Sequence, residues 1–107
     1  MIRGDVWWIN FGPTVGGEIQ NQRPAVIMSN DISNKYLNRV QVVPLTTKTE
    51  KLYPSEAYVT VKGKKHKAMA DQLTTVSKER LSNRAGRISD SELSEIGQAI
   101  KTQLGLS

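Results

Sequence analysis

Gly4-Asp5-Val6-Trp7-Trp8-Ile9-Asn10 and Pro24-Ala25-Val26-Ile27-Met28-Ser29 are short, rich in aliphatic and aromatic residues, and bounded by Gly, Pro or Asn. That pattern marks strands. Three later segments read the same way: Val40–Leu45, Glu56–Lys62 and Lys67–Leu73. Five strands in about seventy residues predict a mainly β (α+β) fold, built on a small, strongly bent antiparallel sheet or partial barrel. Trp7 and Trp8 are neighbours in a strand, so their side chains point to opposite faces. One is expected in the core. The other either joins a dimer interface, burial being the usual role of Trp, or offers a platform for a base.

Helix signals come late. In Ser89-Asp90-Ser91-Glu92 the Ser and the Glu three residues on can satisfy each other's free N–H groups, and two acids in the first turn suit the helix dipole. Leu93, Ile96, Ile100 and Leu104 then recur at spacings of three and four, an apolar stripe that must lie on the sheet. Shorter helical turns are expected at Asp31–Leu37, capped by Asn30 or Asp31, and at Ser77–Leu81, capped by Ser77.

The chain has 107 residues, enough for one domain, 1–107, with one core. No stretch approaches the roughly 20 apolar residues that span a bilayer. MIRGDVWWIN lacks the apolar run and cleavage site of a signal peptide. No membrane partner and a cytoplasmic location are therefore expected. The absence of cysteine rules out disulfides, thiolate metal sites and a Cys nucleophile. Fifteen Lys and Arg face ten Asp and Glu, and residues 1–88 hold 14 of those bases against 7 acids. A field concentrated in that way favours a polyanion, because phosphate contacts release counterions.

Between the first two strands lies Phe11–Gln22, twelve residues where a simple hairpin needs about two to five. It ends in Arg23-Pro24, and the proline forces Arg23 into an extended conformation at the strand entrance. The third strand ends in Pro44-Leu45-Thr46-Thr47. If it pairs with the second, a hydroxyl emerges beside the guanidinium.

Taken in order, Arg3-Gly4-Asp5-Val6-Trp7-Trp8, Pro13-x-x-Gly16-x-Glu18, Arg23-Pro24-Ala25-Val26-Ile27, Ser29-Asn30-Asp31, Pro44-Leu45-Thr46 and Asp71-Gln72 resemble the MazF/PemK toxins over nearly the whole chain. The resemblance implies an SH3-like barrel with short helices and a C-terminal helix, and a homodimer. It further implies sequence-specific cleavage of single-stranded RNA without a metal or other cofactor, and inhibition by a cognate antitoxin that lays an acidic, extended segment in the RNA groove. It places catalysis on Arg23 and Thr46. The chain departs at Thr74, where many members carry Arg, a change that bears on a phosphate contact or base preference rather than on the reaction.

The residues permit that chemistry. An RNA 2′-hydroxyl can attack the adjacent phosphorus if a base takes its proton, an acid protonates the leaving 5′-oxygen and positive charge meets the phosphorane. One His and no carboxylate cluster leave two-histidine and two-metal mechanisms without residues. Arg23 can donate two hydrogen bonds to phosphate oxygens but is protonated at neutral pH, which makes it a poor base. Glu18 is the candidate base or 2′-hydroxyl positioner, and Thr46 the candidate donor to a non-bridging oxygen. Against these stand plainer roles: a surface Arg23–Glu18 pair, and a strand-end hydroxyl bonded to nearby backbone.

The run Val61-Lys62-Gly63-Lys64-Lys65-His66-Lys67 reads as a hairpin turn whose lysines track the RNA backbone or keep a sheet edge soluble. His66, amid positive charges and in no recognisable motif, is not expected to be the catalytic acid. Gln72 can read a base edge or satisfy backbone inside the barrel. Gln22, Asn30, Lys48, Lys64, Lys65, Lys67 and Gln72 together form the candidate RNA-contacting set. Competing functions are a gyrase-poisoning toxin of the same fold, which lacks the Arg and Thr and ends in an aromatic-containing segment unlike Leu104-Gly105-Leu106-Ser107, and a non-catalytic SH3-like RNA-binding module.

Overall fold

A computed structural model describes residues 1–13, 15–18 and 21–106. Its strands are β1 (Asp5–Asn10), β2 (Gln22–Ile27), β3 (Arg39–Thr46), β4 (Glu56–Val61), β5 (Lys64–Met69), β6 (Thr74–Ser77) and β7 (Leu81–Arg87). The helices are α1 (Asp31–Tyr36) and α2 (Asp90–Leu104), with 3-10 turns at Ala70–Gln72 and Lys78–Arg80. Every strand pairing is antiparallel, in the order β4-β5-β3-β2-β1-β7, and β6 adds to the other half of β3. The sheet curls because β3 serves two partners on one side: Arg39–Val42 hold β6, while Leu45 and Thr46 hold β5.

Two strands go beyond the five expected, β6 and β7. Leu-Ser-Asn-Arg-Ala-Gly-Arg hides β7 from a hydropathy reading, because Ala85 is its one buried side chain; backbone pairing with β1 and ion pairs from Arg84 and Arg87 to Asp5 hold it instead. The fifth strand begins at Lys64, not Lys67, and residues 70–72 leave it as a 3-10 turn. Its connection to β4 is only Lys62-Gly63, both at positive φ (49° and 77°), the two-residue geometry whose twist matches a hairpin.

Period-two alternation divides the apolar residues between two faces. Val6, Val26, Val43, Leu45, Ala57, Val59, Val61 and Ala68 point into the curl, where Ile96 of α2 closes over them. Ile9, Ala25, Ile27, Val40, Val42 and Val76 form the second cluster, with Trp7, Phe11 and Leu81 packed on it.

The expected capping box starts α2: the Ser89 hydroxyl accepts from Glu92 N–H, and the Glu92 carboxylate accepts from Ser89 N–H. The same carboxylate accepts from Thr60 N–H at 2.7 Å and so ties the helix to β4. Burial opposes its ionisation, but the donations from Ser89 and Thr60 prevail and hold it below its ordinary value. Leu93 and Ile100 flank buried Ile96 as the stripe requires, whereas Leu104 is exposed in the last turn, beyond the edge of the sheet. Gly105, at φ 71°, ends the helix in the left-handed conformation.

Candidate active site

The interior of the curl opens at the ends of β2 and β3. Beyond the last pair of the β2–β3 ladder, Ala25 with Pro44, Arg23 and Thr46 both line one cavity. Thr46 in turn pairs with Lys67 of β5. Here the curl leaves a cavity of about 580 Å3 lined by Arg23, Thr46, Trp8, Gln22, Lys64 and His66 among others. Such a volume suits a small ligand or one or two nucleotides. Trp8 is 41% exposed on the cavity wall while Trp7 packs on the second cluster. The adjacent tryptophans thus divide between core and cavity.

Thr46 is buried, and its Oγ1 accepts from Lys48 N–H at 3.2 Å. The backbone contact expected for a strand-end hydroxyl is present. It occupies a lone pair and leaves the O–H proton as a donor, so it orients the hydroxyl without consuming it.

A family model of the "PemK-like, MazF-like toxin of type II toxin-antitoxin system" matches residues 2–104. The chain belongs to this family. It is 37% identical over 115 residues to endoribonuclease MazF9 of Mycobacterium tuberculosis, covering 99% of this chain and 98% of that one. To endoribonuclease MazF of Staphylococcus saprophyticus it is 33% identical, covering 99% and 92%. Among solved structures, a mycobacterial endoribonuclease in complex with its cognate antitoxin superposes with a TM-score of 0.84 at 26% identity, covering 100% and 97%. MazF from Deinococcus radiodurans gives 0.87 at 24% identity, covering 99% and 97%, a likeness of fold.

The toxin gathers some of the candidate residues and disperses others. Arg23, Thr46, Gln22 and Lys64 share the cavity. Glu18 does not: it lines a second cavity of about 220 Å3 with Phe11, Gln72, Thr74 and Arg80, and its carboxylate accepts from Val15 N–H at 3.0 Å within its own loop. That cavity is bounded by Thr74, Thr75 and Val76 of β6, not by the strand ends that carry Arg23 and Thr46. Gln72 lines the same second cavity and donates to the Gly17 carbonyl at 3.0 Å, tethering the loop.

Asn30 is the N-cap of α1, its Oδ1 accepting from Ser33 N–H at 2.9 Å, so its acceptor is committed to the helix. Lys48 is exposed just past β3, outside the cavity lining, and reaches Thr46 through its backbone. The Lys run is mostly strand, and alternation splits it. Lys64 and His66 stand opposite Val61 and Val59, on the inward face. Lys65 and Lys67 point the other way. The Lys65 ammonium sits 3.8 Å from the Tyr58 ring centre. Lys67 is buried, 3.0 Å from the Glu56 carboxylate, and donates to the Lys51 carbonyl at 3.0 Å. Neither lines the cavity.

Among the described residues, no three His, Asp or Glu side chains gather in a way that could hold a metal ion. No helix of the described residues is long and apolar enough to cross a membrane.

Proposed function

We propose that this toxin, an endoribonuclease of the MazF kind, cleaves single-stranded RNA sequence-specifically at the strand-end cavity, without a metal, leaving a 2′,3′-cyclic phosphate and a 5′-hydroxyl. The observation that carries the proposal is the shared cavity: Arg23 and Thr46, both just beyond the last β2–β3 pair, line the same opening. In the reaction the 2′-oxygen bonds to phosphorus as its proton leaves, and the bond from phosphorus to the 5′-oxygen breaks as that oxygen gains a proton. Arg23 meets the charge on the phosphorane with paired donors. Thr46, its lone pair held by Lys48 N–H, donates to a non-bridging oxygen. Trp8 offers a face on which a flanking base can stack, an interaction worth about 1–3 kcal/mol.

The toxin acts as a cytoplasmic homodimer, and a cognate antitoxin with an acidic, extended segment occupies the same cationic groove. Pure RNA incubated with the protein in EDTA tests the reaction: 5′-end mapping should give one short motif with 5′-hydroxyl ends, and a 2′-deoxy substitution at the cut should stop cleavage. RNA left intact would reject the proposal. A non-cleavable RNA bearing the motif should raise the apparent antitoxin Kd in proportion to its concentration; a stable ternary complex would place inhibition at another site.

A further inference from the structure

The inward face of β4 and β5 is apolar at Ala57, Val59, Val61 and Ala68, and His66 interrupts it. A buried polar side chain on such a face costs free energy unless its polar atoms are used. His66 is 8% exposed. Its Nδ1 lies 3.1 Å from the Lys64 carbonyl oxygen. A carbonyl only accepts, so Nδ1 carries the hydrogen and the neutral ring keeps its lone pair on Nε2. Nε2 has no hydrogen-bond partner among the described residues, yet it is not sealed in the core: His66 lines the same cavity as Arg23 and Thr46.

We infer that His66 is the general base of the cleavage reaction, its Nε2 accepting the 2′-hydroxyl proton. The inference rests on the ribonuclease reading of the cavity. As the 2′-oxygen–phosphorus bond forms, the proton passes to Nε2 and the ring becomes imidazolium. The bond from phosphorus to the 5′-oxygen breaks, that oxygen takes a proton from water, and the imidazolium returns its own proton to solvent. The backbone bond at Nδ1 fixes the tautomer and aims the ring, as a carboxylate does for the histidine of many active sites. The charged groups that line the cavity with His66 are Arg23 from the end of β2, Lys62 from the turn and Lys64 from β5; β1, β3, β4 and β7 present Trp8, Leu45, Thr46, Val61 and Ala85, and Thr47 follows β3. With no carboxylate among them, His66 is the one lining side chain that offers a basic nitrogen to the 2′-hydroxyl.

The test compares single-turnover cleavage of an RNA bearing the mapped motif by wild type, His66→Asn and His66→Ala, with binding measured on the 2′-deoxy analogue. Asn keeps a donor where Nδ1 stood and lacks the base. It should bind within about twofold of wild type and cleave about 10²–10⁴-fold more slowly. Added imidazole should restore part of the rate to His66→Ala, an outcome that a purely structural role does not produce. A wild-type rate in His66→Asn would overturn the inference and leave the ribonuclease reading intact. So would a His66→Ala that is folded and binds RNA but is not rescued. A wild-type protein that cleaves nothing removes both.

Discussion

The two faces of β5 carry the same residue types to opposite ends. On one side Lys64 and His66 look into the cavity shared with Arg23 and Thr46; on the other, Lys65 lies on Tyr58 and Lys67 is locked to Glu56. One residue of shift along a strand exchanges a place beside the substrate for a place in the scaffold. Charge in the sequence therefore does not locate the groove. Parity does.

The largest separation of the two faces is expected from Arg23→Ala. Losing the principal donor to the phosphorane should lower kcat about 10²–10³-fold, while the melting temperature stays close to wild type, since Arg23 is half-buried at a loop end. Near wild-type cleavage would dissolve the distinction between cavity and scaffold. Lys67→Met should do the reverse. It strands the Glu56 carboxylate, itself nearly buried, and should cost about 3 kcal/mol of stability, with kcat of the folded fraction unchanged. Urea unfolding beside active-site titration checks both halves; a stable Lys67→Met that binds RNA poorly would return Lys67 to the groove.

The folding of this surface was only partly legible in sequence. Strands β1 to β4 and the capping box of α2 announce themselves through apolar runs and local hydrogen-bond chemistry. Arg23 and Thr46 could be paired because Pro24 fixes one strand entrance and Pro44-Leu45-Thr46 marks a neighbouring strand end. β7 gave no signal because backbone pairing and the polar contacts of Ser82, Arg84 and Arg87, not an apolar stripe, hold it to β1. His66 was set aside for its cationic sequence neighbours, two of which the pleat turns away; the two-residue turn at Lys62-Gly63 was the clue that would have fixed its parity. The place of Glu18 is not legible, because a twelve-residue loop has no periodicity from which to read where a side chain lands.

Thr46 sharpens the comparison from within the cavity. Thr46→Ala removes both the donor and the acceptor of Lys48 N–H, and should lower kcat by about tenfold or more. Thr46→Ser keeps the hydroxyl and should lose much less. Equal damage from the two would show that the methyl group, packed at the strand end, matters more than the O–H.

The smallest effect, and the most direct test of parity, sets Lys64→Gln against Lys65→Gln. The two residues are neighbours in sequence, equal in charge and both exposed, so any long-range electrostatic contribution to RNA binding is nearly the same for each. Only Lys64 lines the cavity. If it meets a phosphate, its loss should weaken binding a few-fold at every sequence and reduce the slope of log K against log salt by about 0.7, the increment for one contact on a single strand. Lys65→Gln should leave that slope unchanged and lose only the contact with Tyr58. Measuring the non-cleavable analogue at several salt concentrations separates local contact from general field. Equal slopes in the two variants would mean that RNA feels the charge of the hairpin as a whole, and that the face on which each lysine stands does not determine its role.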